Sequence, residues 1–148
     1  MKALLLFLIF PFLSFSQAVA KKDQLKAKRI VSNAIALFNE GQSSNAYMLL
    51  KQAVALDSTN GNAYFWLANT EFDLRSYSYA KEHSDKALQL FAKEVNEEHL
   101  YLATQIELAL GHISQAATHI QSAKKLLKKE KDFELLGFEN AAKQLVDV

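Results

Sequence analysis

Tyr64-Phe65-Trp66-Leu67-Ala68, followed by Leu74-Arg75-Ser76-Tyr77, Ala80 and Ala87-Leu88, decides the fold, because its small and apolar positions recur at one interval on both sides. Ala34 and Ala68, Ala46 and Ala80, Ala53 and Ala87, and Leu56 and Leu90 are each 34 residues apart. A self-similarity of about 34 residues is the period of a helix-turn-helix array in which each unit buries its apolar face only by stacking on its neighbours. The interval therefore predicts an all-α solenoid.

Helical periodicity extends outward from this stretch. In the preceding unit Ile30, Ala34, Leu37 and Phe38 fall on one face, Gly41 breaks the chain, and Ala46, Leu49, Leu50, Ala53 and Leu56 resume the pattern. Seven helices are expected, at about 24–39, 43–56, 61–74, 77–91, 97–110, 113–129 and 132–146. Asp57-Ser-Thr-Asn60-Gly61 supplies turn and N-cap chemistry for the third. The paired alanines lack the bulk that would hold helix axes apart, so each hairpin can pack closely. With one Pro and four Gly in 148 residues there is no candidate linker, and the array is expected to form one domain.

The chain resembles the tetratricopeptide repeat family, whose pattern is W-x2-L-G-x2-Y, then G-x-Y-x2-A, then F-x2-A-L and a closing proline. The second unit, about 61–94, matches at Tyr64-x2-Leu67-Ala68, Tyr77-x2-Ala80 and Ala87-Leu88. The first, about 27–60, runs Ile30-x2-Asn33-Ala34, Gly41, Ala46 and Leu50-x2-Ala53-Val54, with Ser58 in place of the proline. The third, about 97–130, runs Leu100-x2-Ala103-Thr104, Gly111-x-Ile113-x2-Ala116 and Ala123, displaced by 36 residues from the second. Two extra residues are thus expected in the turn at 92–96. Phe133-x2-Leu136-Gly137 is similar to the opening of a fourth unit, read as a capping helix at 132–146. Glu71 and Glu107 depart from the family pattern. The resemblance implies a right-handed superhelical solenoid of antiparallel helix pairs with a partner-binding concave face.

On that reading the first helix of each hairpin lines the concave face. The residues projected onto it are Val31, Ile35 and Phe38, then Phe65, Trp66, Asn69, Phe72 and Asp73, then Tyr101, Leu102, Gln105 and Leu108. Phe65 and Trp66 are about 100° apart on the helical wheel, so one of them is expected to be at least partly exposed. Some proteins of this family clamp a C-terminal carboxylate with Lys, Arg and Asn. Val31 and Ile35 stand where the first Lys and Asn would be, which argues against a clamp here.

Residues 1–20 read as a segment outside the array. Lys2 is a basic start, Ala3 to Phe15 an apolar core, and Ala18-Val-Ala20 a cleavage pattern, with a cut after Ser16 as the alternative. The core is short of the roughly 20 residues a spanning helix needs, and Pro11 interrupts it. Retention as an anchor stays open, whereas lipid attachment lacks a Cys to acylate. The expectation is an exported protein, periplasmic or secreted, with 21–148 as the folded domain. Its removal takes away one Lys and no acid, leaving 16 basic and 16 acidic side chains, a balance that gives no field for nucleic acid. Zero cysteines means that packing, not disulfides, holds the fold.

Chemistry by residue type points away from catalysis. There is no Cys nucleophile, no H-E-x-x-H and no glycine-rich phosphate loop. His83, His99, His112 and His119 are dispersed, and Glu97-Glu98 opens a helix, where the dipole favours acids. No cofactor or metal is expected. The basic runs Lys21, Lys22, Lys26, Lys28, Arg29 and Lys124, Lys125, Lys128, Lys129, Lys131 read as solvated faces, with at most peripheral contact to an anionic membrane surface. The functional expectation is a non-enzymatic adaptor of the cell envelope that binds an apolar or amphipathic segment of another envelope or exported protein. Carriage of a small apolar ligand or lipid in the same groove is the alternative, and an open last unit allows self-association.

Overall fold

A computed structural model describes residues 10–127, with the backbone alone for residues 10–19. Six α-helices follow in order: α1 Phe10–Asn39, α2 Ser43–Leu56, α3 Gly61–Asp73, α4 Tyr77–Phe91, α5 Glu97–Ala109 and α6 Ile113–Leu126. They pair as antiparallel hairpins α1/α2, α3/α4 and α5/α6. The first helices touch one another in succession, α1 on α3 and α3 on α5, while α2 rests on α3 and α4 on α5. First helices therefore share one side of the array. The seventh helix expected at 132–146 lies outside the described residues, as does most of the apolar stretch before Phe10.

The first helix departs from expectation. It is already helical at Phe10, the first described residue, rather than starting near residue 24, so the small-residue segment Ala18-Val-Ala20 continues straight into the repeat. No glycine interrupts 10–39. Among the described residues no helix is long and apolar enough to cross a membrane.

Alanines set the spacing. Ala34, Ala46, Ala53, Ala68 and Ala80 are fully buried and Ala87 is 2% exposed. Around them the core forms a series of clusters, each joining a hairpin to its neighbour. Val31, Leu50 and Leu67 meet across α1, α2 and α3, Phe65, Leu102 and Ile106 across α3 and α5, and Leu100 with Ile120 across α5 and α6, where Leu88 of α4 packs on them. Such a core is additive along one axis, as stacked repeats require. The two inserted residues are absorbed by a 3-10 turn, Ala92–Glu94, after which Asn96 caps α5.

All three hairpins turn with the same cap. The amide of Gln42 donates to the carbonyl of Leu37, that of Ser76 to Glu71, and that of His112 to Glu107, each at 2.8 Å. Inside each, Gly41 donates to Phe38, Arg75 to Phe72 and Gly111 to Leu108. This paired pattern requires a left-handed residue at the centre. Gly41 and Gly111 adopt φ 76° and 74°, whereas Arg75 is held at φ 61°. A side chain with Cβ is strained there, so Arg75→Gly should stabilise the fold by about 0.5–1 kcal/mol. Urea unfolding is expected to show a higher midpoint at unchanged slope; a lower midpoint would mean that the arginine side chain contributes more than the backbone strain costs.

Candidate functional site

The side built by α1, α3 and α5 carries two adjoining grooves. The outer one, between α1 and α3, is bordered by Lys28, Ser32, Ile35, Asn60 and Asn62, with Val31 beneath. The inner one, between α3 and α5, is about 380 Å³ in volume and mainly apolar, with Phe72, Tyr101 and Leu102 facing Asn69, Gln105 and Glu98. Trp66 lines both. Its ring meets Phe38 edge-on at 5.7 Å and Phe65 at 5.6 Å, so it is fixed between the two depressions.

The structure brings Trp66, Asn69, Phe72, Tyr101 and Gln105 together as expected, and puts Ile35 on the outer groove. Six expected positions need correction. Val31 at 5% and Phe65 at 9% exposure are core residues that form groove floor rather than free surface. Leu102 at 6% is likewise buried. In each case a neighbouring hairpin covers the face: α3 packs on Val31, α5 on Phe65, and α3 on Leu102. Asp73 accepts a hydrogen bond from the Ser43 hydroxyl at 2.5 Å, which ties α3 to the start of α2 instead of facing a ligand. Phe38 packs on the first cluster and Leu108 on the third, and neither lines a groove.

Residue-type reasoning missed Lys28, Asn62 and Glu98. The signal was present: they stand 34 and 36 residues apart, the same intervals that relate Ala34, Ala68 and Thr104. One repeat position thus carries a cation, an amide and an acid in three successive units.

Behind the inner groove the supporting polar groups are buried. His99 stacks on Phe91 at 3.9 Å and meets the edge of Phe65 at 4.9 Å. Its Nδ1 accepts the Asn96 amide while Asn96 accepts the His99 amide, a reciprocal cap at the start of α5. An accepting Nδ1 is an unprotonated one. Burial accordingly lowers the His99 pKa, with Glu98 and then Glu97 acting weakly in the other direction. Farther along α5, Glu107 is 2% exposed and receives hydrogen bonds from Lys81 and from His112. Burial alone would raise its pKa, but the Lys81 and His112 contacts outweigh it and hold the carboxyl below its ordinary value. Glu71, at the equivalent place in the second hairpin, bonds His83 Nδ1 at 2.7 Å. Both departures from the family pattern are therefore satisfied buried acids. Among the described residues no set of three His, Cys, Asp or Glu is placed to hold a metal.

No family model matches the chain and no curated protein matches it. Solved structures do. The chain superposes on the Arabidopsis OM64 TPR domain with a TM-score of 0.72 and 18% identity, covering 84% of this chain and 98% of that one. This is the tetratricopeptide repeat fold. The Yersinia enterocolitica type III secretion chaperone SycD, solved with a peptide of the translocator YopD, gives 0.68 at 16% identity over 81% of this chain and 89% of that one. YrrB, described as a TPR protein with an unusual peptide-binding site, gives 0.68 at 20% identity over 88% and 70%. At these identities the likeness establishes the repeat architecture of helix pairs.

The sign of the pH dependence follows from the depressed values. A histidine whose folded pKa lies below its unfolded value of about 6.5 contributes stability that is full above that pH and is lost as pH falls through the folded value. His99 obeys this, and so does His119, whose pKa burial lowers against the pull of Glu107 and Asp85. Glu107 loses its contribution only below the ordinary carboxylate value of about 4.3. Urea midpoints should therefore fall as pH drops from 7 to 5, and Glu107→Gln should flatten the second decline, between pH 5 and 3. A wild-type midpoint that stays level from pH 7 to 5 would contradict the buried neutral state of His99.

Proposed function

We propose that this protein is a non-enzymatic adaptor, exported to the periplasm or secreted, that holds a segment of another envelope or exported protein along the side lined by α1, α3 and α5. The observation that carries this reading is the pair of grooves that share Trp66, both open to solvent rather than enclosed, which together make a trough. A trough suits a chain, whereas a small apolar ligand or lipid needs enclosure, so carriage is the weaker reading. The peptide-bound state of the structurally similar chaperone SycD supports a peptide as occupant. Export is supported by Lys2, the apolar run Ala3 to Phe15 and Ala18-Val-Ala20, and an N-terminus at residue 17 or 21 in the mature protein is its test.

Energetics bear on the kind of segment bound. Phe65 is already out of water, and Trp66, Phe72 and Tyr101 are half-buried, so a ligand covers only part of each ring. Completing their burial contributes roughly 3–4 kcal/mol gross, which alone corresponds to no better than about millimolar binding. Polar contacts must supply the remainder. Asn69 and Gln105 present side-chain amides inside the inner groove, matched to the backbone of an extended segment.

Serines at Phe65 and Trp66 would strip the core together with the groove, since truncating a buried Phe costs about 3–5 kcal/mol. Asn69→Arg with Gln105→Arg is the cleaner block. It should abolish recovery of the partner from the native cell envelope while shifting stability by no more than about 0.5 kcal/mol. Tyr79→Arg, on the outer helix α4 and 64% exposed, should leave recovery intact. Equal recovery with both variants would remove the groove as the binding surface.

A further inference from the structure

Lys28, Asn62 and Glu98 occupy one repeat position on α1, α3 and α5, and each borders the trough. Among the described residues Lys28 is the one ionisable group lining the outer groove and Glu98 the one acid lining the inner, with no base beside it. Both are exposed, and neither forms an ion pair with another described residue. Between them lie the uncharged amide of Asn62 and the indole of Trp66. The trough therefore has a positive end, an apolar aromatic middle and a negative end. Its apolar contacts alone are too weak for useful affinity, which leaves the terminal charges a deciding share of selectivity.

We propose that the occupant is a short segment carrying an acidic residue for Lys28, an apolar stretch for Trp66 and Tyr101, and a basic residue for Glu98. This rests on the reading of the trough as a peptide site and specifies its ligand. The required length follows from helix spacing: axes 8–10 Å apart place α1 and α5 about 16–20 Å from each other, or about five to six residues of extended chain. Segments with acids at both ends or bases at both ends place a like charge against Glu98 or Lys28 and are disfavoured. The arrangement selects a bipolar segment over a uniformly charged one, and the lining sets which end faces the first hairpin.

Trp66 is the sole tryptophan and reports occupancy directly by its emission. The probes are tryptophan-free synthetic peptides with blocked ends and a common five-residue apolar centre. Their flanks are acid and base in both orders, two acids, two bases, or two serines. The purified protein should bind a bipolar peptide tightest, by about threefold for each correctly placed charge. That preference should vanish in about 1 M salt, where the screening length falls to about 3 Å. Glu98→Lys should transfer the preference to the two-acid peptide and Lys28→Glu to the two-base peptide. Equal binding of all probes, or preferences that the charge reversals leave unmoved, overturns the bipolar specificity and leaves the peptide trough standing. No emission change with any probe removes the trough and its specificity together.

Discussion

Contact between helices at alanine is the constraint on which the rest of this structure depends. Ala34, Ala46, Ala53, Ala68, Ala80, Ala116 and Ala123 have no exposed surface at all. A larger side chain at any of them would push two axes apart, and in a one-dimensional stack that displacement passes to the next hairpin. Close axes bring α1, α3 and α5 side by side, and the trough exists only because those three helices do. Leu50, Leu67 and Ile106, each at most 1% exposed, then fill the space that the alanines leave.

The turns and the buried acids show how such an array tolerates departures from its pattern. Arg75 takes a backbone conformation that glycine takes in the other two hairpins, and the hydrogen-bonded cap around it is unchanged. Glu71 and Glu107 take a position where an apolar residue, Leu37, stands in the first hairpin. Each acid is paired with a histidine across its turn, and Glu107 also reaches Lys81 on the preceding hairpin. Among the described residues no buried side-chain nitrogen or oxygen lacks a partner. Buried charge is thus converted from a cost into a directional tie between the end of a first helix, the start of the second, and the neighbouring unit.

The architecture was legible because its cause is periodic. Alanine recurring at 34 residues has few explanations other than repeated close contact, and the change of interval to 36 located an insertion that the structure closes as a 3-10 turn. The start of α1 was not legible in the same way. Residues 1–20 read as a leader by composition, and composition says nothing about whether a helix runs on from residues 10–20 into the repeat. Groove residues were half legible. Projecting one helix identified Trp66, Asn69, Phe72, Tyr101 and Gln105, but Val31, Phe65 and Leu102 are covered by a neighbouring hairpin, which a single wheel does not represent. Lys28, Asn62 and Glu98 share an interval but no chemistry, so a search for like residues passed over them.

Function then follows from shape and charge rather than from reactive groups. The aromatic rings of Trp66 and Tyr101, the amides of Asn69 and Gln105, and the opposite charges of Lys28 and Glu98 are the features on which the proposed reading of a chain segment rests. The most direct measurement is site-specific photo-crosslinking in the native cell. A benzophenone side chain replaces Tyr101 on the inner groove or Tyr79 on the outer face of α4, and the attached peptide is sequenced. The account predicts one short segment captured from position 101 and nothing specific from position 79. Specific capture from position 79, with none from 101, would contradict it.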